Sequence, residues 1–278
     1  MVTRLLVRFK GAVGDVVVLT AAIRDLKLSN PELQIKVDTS HPEVWWHNPH
    51  LSSFTEPDFI LEPDYLPGIV ASQQGVKKHF LCWFHDFFVE QLGVPCRLTA
   101  AKPDLHLVPD DFRHVNHWFH DRPCWLVFAG GKEDATVKIW DADRYQQVID
   151  VLQEQGYFFV QSGATGGPHI QPKLQRVIRE VGDKDLRKMF AEIKLAAGVL
   201  CPITSAMHIA AALDRKCVVV AGGREEPWWE AYRNDTGGFR SDTPVVVEHL
   251  YLNTIGKMPC CQHNGCWLSL RPQDGTGK

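Results

Sequence analysis

The 278-residue chain lacks an excess of charge of either sign: 30 Lys and Arg stand against 33 Asp and Glu, a net charge of −3, with an isoelectric point near 6.5. Bulk attraction to nucleic acid or anionic lipid is thereby excluded, so a polyanion would need a local site, and a small-molecule partner is expected. No run reaches the roughly 18 apolar residues that a membrane span requires. The opening "MVTRLLVRFKG" carries charges inside its short apolar run and has no cleavage-like segment, which leads to the expectation of a cytoplasmic protein. There is no repeat of the solenoid kind. A complete dinucleotide fingerprint is missing too: "GAVGD" at 11–15 does not meet the G-x-G-x-x-G spacing, and valines stand where a helix glycine would approach the strand. That argues against a nicotinamide enzyme and against a sugar-nucleotide epimerase. The eight cysteines contain no C-x-x-C pair. Cys82, Cys96, Cys124, Cys201 and Cys217 are scattered beside apolar runs and read as reduced core residues.

What is present is a globular composition, 45% apolar and 23% charged, in which strand-like runs alternate with helical patterns. This predicts an α/β fold with a largely parallel sheet. "RLLVRF" precedes a helix whose Val16, Leu19, Ile23 and Leu26 recur at helical spacing, closed by "SNP" at 29–31, and "LQIKVD" follows as a strand. Residues 40–80 have no clean period and read as loops with short strands, and "CWFHDFFVEQLGV" reads as a helix ended by Gly93. A polar stretch over 98–123, with Pro103, Pro109, Pro123 and one short helix, has the chemistry of a linker. A second series then restarts with the strands "CWLVFAGG", "YFFVQSG", "AAGVLCP", "KCVVVAGG" and "PVVVEHL" and with helices over 143–155 and "SAMHIAAAL". Two Rossmann-like domains facing a cleft are expected: an acceptor-side domain over 1–120, a nucleotide-sugar-binding domain over 121–258 and a cysteine-containing tail over 259–278.

Four segments could carry chemistry. Asp15, with Gly11 and Gly14, lies on the first strand-to-helix turn and reads either as a helix N-terminal carboxylate or as a general base, with glycines giving a substrate room. "AGGKEDATVKIWD" brings a glycine pair, Lys132 and Lys138 to a helix start, the ingredients of a phosphate site, or else forms a solvated loop, and Trp140 packs. In "CPITSAMHIAAAL", Thr204 and Ser205 begin a helix and can cap it or hold a diphosphate, with His208 one turn in as core residue or ligand. Arg224, Glu225 and Glu226 read as solvated loop charges. In "MPCCQHNGCWLSL", Cys260, Cys261, His263 and Cys266 are weak metal candidates set against free thiols near a flexible end.

From Leu5 to about Tyr232 the chain resembles glycosyltransferase family nine, the ADP-heptose transferases of lipopolysaccharide synthesis, most specifically in "VGDVVVLTAAIRDLK", "KIW" and "MHIAAAL". The resemblance implies a GT-B fold and an inverting transferase that moves a heptose-like sugar from a nucleotide-diphospho-sugar to a glycan or other hydroxyl acceptor. It implies Asp15 as catalytic base and Lys138 as a phosphate contact. It also implies a diphosphate held by the helix start at Thr204, Ser205, Ala206, Met207 and His208, with domain closure uniting the two and no metal needed for the chemistry. Some relatives carry cysteine-bound iron, which extends a possible structural metal to the tail. Where the family usually reads "GPDSGPMHLAAAL", this chain has Ile203 and Ser205 in place of the aspartate and the second glycine. A non-catalytic nucleotide-sugar binder of the same fold is the alternative.

Overall fold

The computed structural model describes residues 3–121, 123–182, 185–240, 242–245 and 249–270. The chain divides into two compact units, Met1–Val108 with Trp228–Glu248, and Pro109–Pro227 with His249–Lys278.

In the first unit every second side chain of β1 (Arg4–Phe9) is buried, as the two-residue period of a strand dictates. A short turn leads into α1 (Val13–Ser29), which ends before Asn30 as the "SNP" signal predicts. β2 (Gln34–Thr39) and β3 (Phe59–Leu61) flank β1, both parallel to it, in the order β2-β1-β3. The helix α1 is buried on almost all sides, from Gly14 through Leu26, so it is a core helix rather than an amphipathic surface one. α2 (Leu66–Gln73) lies where only loops and short strands are expected; Pro67 near its start suits the first turn, where a backbone N–H has no helical acceptor. α3 (Phe80–Leu92) begins with His79 Nδ1 accepting from the Leu81 N–H at 3.1 Å and ends with Gly93 in the left-handed region, φ 65°. Burial of Phe80, Leu81, Phe84 and Phe88 on this helix contributes about 1.5–3 kcal/mol for each side chain.

Residues 228–248 return to this unit, which no linear boundary at 120 anticipates. The reason is aromatic burial: Trp229 stacks on Phe80 at 5.3 Å and Phe239 on His79 at 4.2 Å between centroids.

The second unit carries α4 (Trp118–Asp121), β4 (Cys124–Val127), β5 (Gly131–Lys132), α5 (Ala142–Glu154), β6 (Phe158–Gly163), β7 (His169–Ile170) and β8 (Ile178–Val181). There follow α6 (Leu186–Leu195), β9 (Gly198–Pro202), α7 (Ser205–Ala212), β10 (Cys217–Gly222), α8 (Pro227–Glu230), whose last three residues fall in the first unit, and β11 (Leu250–Asn253). Six strands form one parallel sheet in the order β11-β10-β9-β4-β6-β8, while β5 and β7 pair antiparallel. The central β9 is buried along its whole length, as a strand covered on both faces must be. Of the strand expected over 244–250, residues 246–248 lie outside the described residues, and β11 runs just beyond them. Among the described residues no helix is long and apolar enough to cross a membrane.

All eight cysteines are free thiols, with Cys96, Cys124, Cys201 and Cys217 buried and Cys82 half-buried. Burial pushes the Cys82 thiol up to about 12, which keeps it protonated and inert.

Inside the first unit, Arg24 donates from Nε and Nη2 to both oxygens of Asp25 at 2.9 Å, His85 Nε2 lies 2.8 Å from the same carboxylate, and Thr99 donates to it. Burial alone would raise the Asp25 carboxyl, but the hydrogen bonds from His85, Arg24 and Thr99 outweigh it and hold the group at about 2, below its ordinary 3.8. Because the folded value is depressed, the stability Asp25 contributes is fully present above about pH 4 and is lost as the pH falls toward 2. Asp25→Asn should lower stability at neutral pH by about 3 kcal/mol, since it leaves Arg24 buried without its counter-charge. Its melting temperature should also fall less steeply than the parent's between pH 5 and 2, read by thermal unfolding across that range.

Candidate active site

In the first unit the turn from β1 to α1 places Asp15 at the third helical position, half-buried, while Ala12 takes the N-cap position. The Tyr65 hydroxyl donates to Asp15 Oδ2 at 3.1 Å. Tyr65 is wedged among Phe80, Phe84 and Phe9, at centroid distances of 4.6, 5.9 and 6.4 Å. Burial, reinforced by the Asp15 charge, pushes its phenol well up, so it remains a donor at any pH the fold tolerates. Gly11 has no room for a side chain: a Cβ there would stand 2.4 Å from the Phe9 ring and 3.1 Å from Asp15 Cβ. Gly14 is buried within the first turn. The glycines therefore let the backbone close tightly around the Asp15 carboxylate.

In the second unit β10, β9 and β4 are adjacent and parallel, so the loops leaving them open on one edge of the sheet. The loop after β4 runs through a 3-10 turn, Glu133–Lys138, and delivers Lys138. The loop after β9 starts α7, with Thr204 as its N-cap residue, extended at φ −145°. The loop after β10 supplies Arg224, Glu225 and Glu226. Lys138 Nζ lies 3.0 Å from Glu225 Oε1, and Arg224 donates to the same oxygen. Glu225 and Glu226 are only 1% and 4% exposed, which corrects the expectation of solvated loop charges. A buried carboxylate costs several kcal/mol in lost hydration unless cations face it, and two do. Two cationic side chains from different loops thus converge on one carboxylate at this edge.

The Thr204 hydroxyl is buried without a hydrogen-bond partner among the described residues and does not cap its own helix. With the Ser205 and Ala206 amides at the start of α7, which have no acceptor within the helix, it forms a donor set of the kind that binds phosphate. Ser205 is half-buried at the helix start. Met207 and His208 are buried, and the Met207 N–H donates to the Thr204 carbonyl at 3.1 Å, so both stand behind the helix start. Trp140 packs edge-on against Tyr145 at 5.0 Å, within the core built on Phe159 and Ile149. Ile203 is buried, placing an apolar side chain where the family pattern has a carboxylate.

The described part of the tail, residues 259–270, is docked on the loops of the sheet edge. Cys266 and Trp267 donate their N–H groups to the Gly223 and Arg224 carbonyls at 2.9 and 3.0 Å, and Gly265 donates to Glu226 Oε1 at 2.6 Å. The Val137 N–H donates to the Ser269 carbonyl at 3.2 Å, so the tail braces both the Lys138 and the Glu225 loops. Gly223 admits this approach because a Cβ there would sit 2.4 Å from Cys261 Sγ. Cys261 is buried, while Cys260 and His263 are exposed and Cys266 is half-buried. Among the described residues these four do not bring three ligand atoms together; His50, Asp104 and His106 do.

A parallel α/β sheet with cations and a helix N-terminus on its carboxyl edge defines a nucleotide-type binding unit. The chain belongs to glycosyltransferase family 9 (heptosyltransferase), whose profile matches residues 72–256, a span that includes Lys138 and the α7 start. It is thus an enzyme of the glycosyltransferase class with the α/β GT-B fold. No curated protein sequence matches it. Similar solved structures include a family 9 glycosyl transferase from Veillonella parvula, with 15% identity, TM-score 0.68 and coverage of 92% of this chain and 88% of that one. The E. coli ADP-heptose LPS heptosyltransferase II gives 15%, 0.58, and 90% of each chain. The iron-containing dodecameric heptosyltransferase TibC of enterotoxigenic E. coli, in complex with ADP-D-β-D-heptose, gives 13%, 0.61, and 97% of this chain against 67% of that one. At these identities the likeness is one of fold.

Sequence reasoning missed Tyr65, which sits in a stretch without periodicity, and the burial of Glu225. Glycines at 222, 223 and 265 are the signal that could have disclosed the second, because they mark backbone packed against the loop.

Tyr65→Phe should cost about 1–3 kcal/mol in denaturant unfolding, because it removes the phenol donor from the half-buried Asp15 carboxylate. Glu225→Ala should cost about 3 kcal/mol in denaturant unfolding by stranding Lys138 and Arg224, and it should weaken nucleotide binding measured by calorimetry, since Lys138 loses the group that fixes it.

Proposed function

We propose that this glycosyltransferase is an inverting enzyme using a nucleotide-diphospho-sugar, with ADP-heptose as the model donor, and transferring the sugar to a hydroxyl of a glycan or similar acceptor. The observation that carries the reading is the sheet edge of the second unit, where Lys138, Arg224 and the α7 start gather donors and positive charge, the two cations sharing the Glu225 carboxylate. Two structures of similar fold, an ADP-heptose heptosyltransferase and a heptosyltransferase in complex with ADP-D-β-D-heptose, support an ADP-linked donor.

In this mechanism the acceptor oxygen attacks the anomeric carbon from the face opposite the diphosphate. The new carbon–oxygen bond forms as the bond to the diphosphate oxygen breaks, and inversion follows. Asp15 takes the acceptor's proton; help of this kind is worth about 100- to 10,000-fold. Lys138, Thr204, Ser205 and the first amides of α7 carry the charge that builds on the leaving nucleoside diphosphate. Met207 and His208 hold that helix start in place from the core side.

Asp15→Ala should reduce transfer by about 100- to 10,000-fold while ADP still raises the melting temperature as it does in the parent. Stabilisation by ADP but not by UDP or GDP is expected. Transfer at the parent rate by Asp15→Ala would remove the base assignment, and a chain that no nucleotide stabilises would remove the donor.

A further inference from the structure

Three side chains of the first unit, one of them some fifty residues from the other two and all outside the site described above, bring their ligand atoms together. His106 Nε2 lies 2.7 Å and His50 Nε2 3.4 Å from the same oxygen, Asp104 Oδ2, and all three atoms fall within 4.8 Å of one another. In a tetrahedral zinc site with bonds of about 2.0–2.1 Å, ligand atoms stand about 3.4 Å apart. The His50–Asp104 spacing meets that separation, and the His106–Asp104 spacing reaches it by a small rotation of one imidazole. The two rings lie 6.1 Å apart at 67°, so they approach the point from different directions instead of stacking.

The backbone holds these residues independently of any ligand. The Asp104 N–H donates to Thr20 Oγ1 at 2.7 Å, and Arg24 donates to the carbonyls of Lys102 and Ala100, each at 3.0 Å, pinning the segment before Asp104 to α1. The Arg24 charge is met by its two bonds to Asp25, so it does not repel a cation outright. The His50 N–H donates to Asn48 Oδ1 at 2.9 Å, and Asn48 is itself buried. The side chains of His50, Asp104 and His106 are 16%, 18% and 30% exposed, which leaves a path for an ion to enter and at least one coordination position open to water.

We propose that His50, Asp104 and His106 form a three-ligand site for a divalent transition cation of the zinc or ferrous type, distinct from the tail cysteines. Two imidazoles and one carboxylate suit metals of borderline softness and would bind magnesium or calcium poorly. The bound ion clips the segment after α3 to the turn that follows β2, and the assignment stands or falls independently of the donor and the base.

The test is a Co2+ titration of the full chain, with Zn2+ as competitor. One equivalent should bind with visible d–d absorption and no thiolate-to-cobalt charge transfer, a band that any tail-cysteine site would show. His50→Ala and His106→Ala should each raise the dissociation constant at least about tenfold, since even the partners behind metal ligands are worth 10- to 100-fold. Circular dichroism reports whether each variant is folded. Should either unfold, the parent protein alone decides: its Co2+ form should show two hyperfine-shifted, exchangeable imidazole N–H resonances. Unchanged affinity in folded variants, cobalt bound only through thiolates, absence of those two resonances, or no binding up to millimolar Co2+ would each overturn the site.

Discussion

A carboxylate that is 1% exposed stays ionised only when cations are built around it, and the second unit is arranged to meet that demand at Glu225. Lys138 arrives from the loop after β4 and Arg224 from the loop after β10, and both end on Glu225 Oε1. The carboxylate thus fixes two flexible side chains in one place before any ligand is present. Cations whose conformational entropy is already lost bind an anion at lower cost, and on the proposed reading that anion is the donor's diphosphate. The docked tail serves the same end, because its backbone bonds hold both loops.

That arrangement rests in turn on the parallel sheet. Strands β10, β9 and β4 run the same way, so their outgoing loops meet at one edge, and a helix that starts there presents unsatisfied amides to it. An antiparallel sheet would send alternate loops to opposite edges. The positive end of α7, the lysine and the arginine are therefore gathered by topology, and Glu225 only sets their final positions.

The elements legible in the sequence are those whose pattern is local. α1 could be read because Val16, Leu19, Ile23 and Leu26 recur at helical spacing, and α3 because Gly93 supplies the left-handed stop. The strands β4, β6, β9 and β10 could be read because buried parallel strands are short apolar runs bounded by glycine or proline. α2 escaped because Pro67 and Gly68 interrupt its composition, and α6 and β8 because charged residues thin out their apolar pattern. The positions of Asp15, Lys138 and Thr204 were legible since each lies in a strand-to-helix connection. Tyr65, the buried state of Glu225 and the meeting of His50 with Asp104 and His106 were not, because tertiary packing alone brings them to their partners.

The two carboxylates at the turns illustrate how differently burial can be used. Glu225 is enclosed and answered by two full positive charges, and its part is to position them. Asp15 is half-buried and accepts a hydrogen bond from a phenol that stays protonated. On the proposed reading Tyr65 orients the base through this neutral donor, whereas Glu225 is used to fix cations.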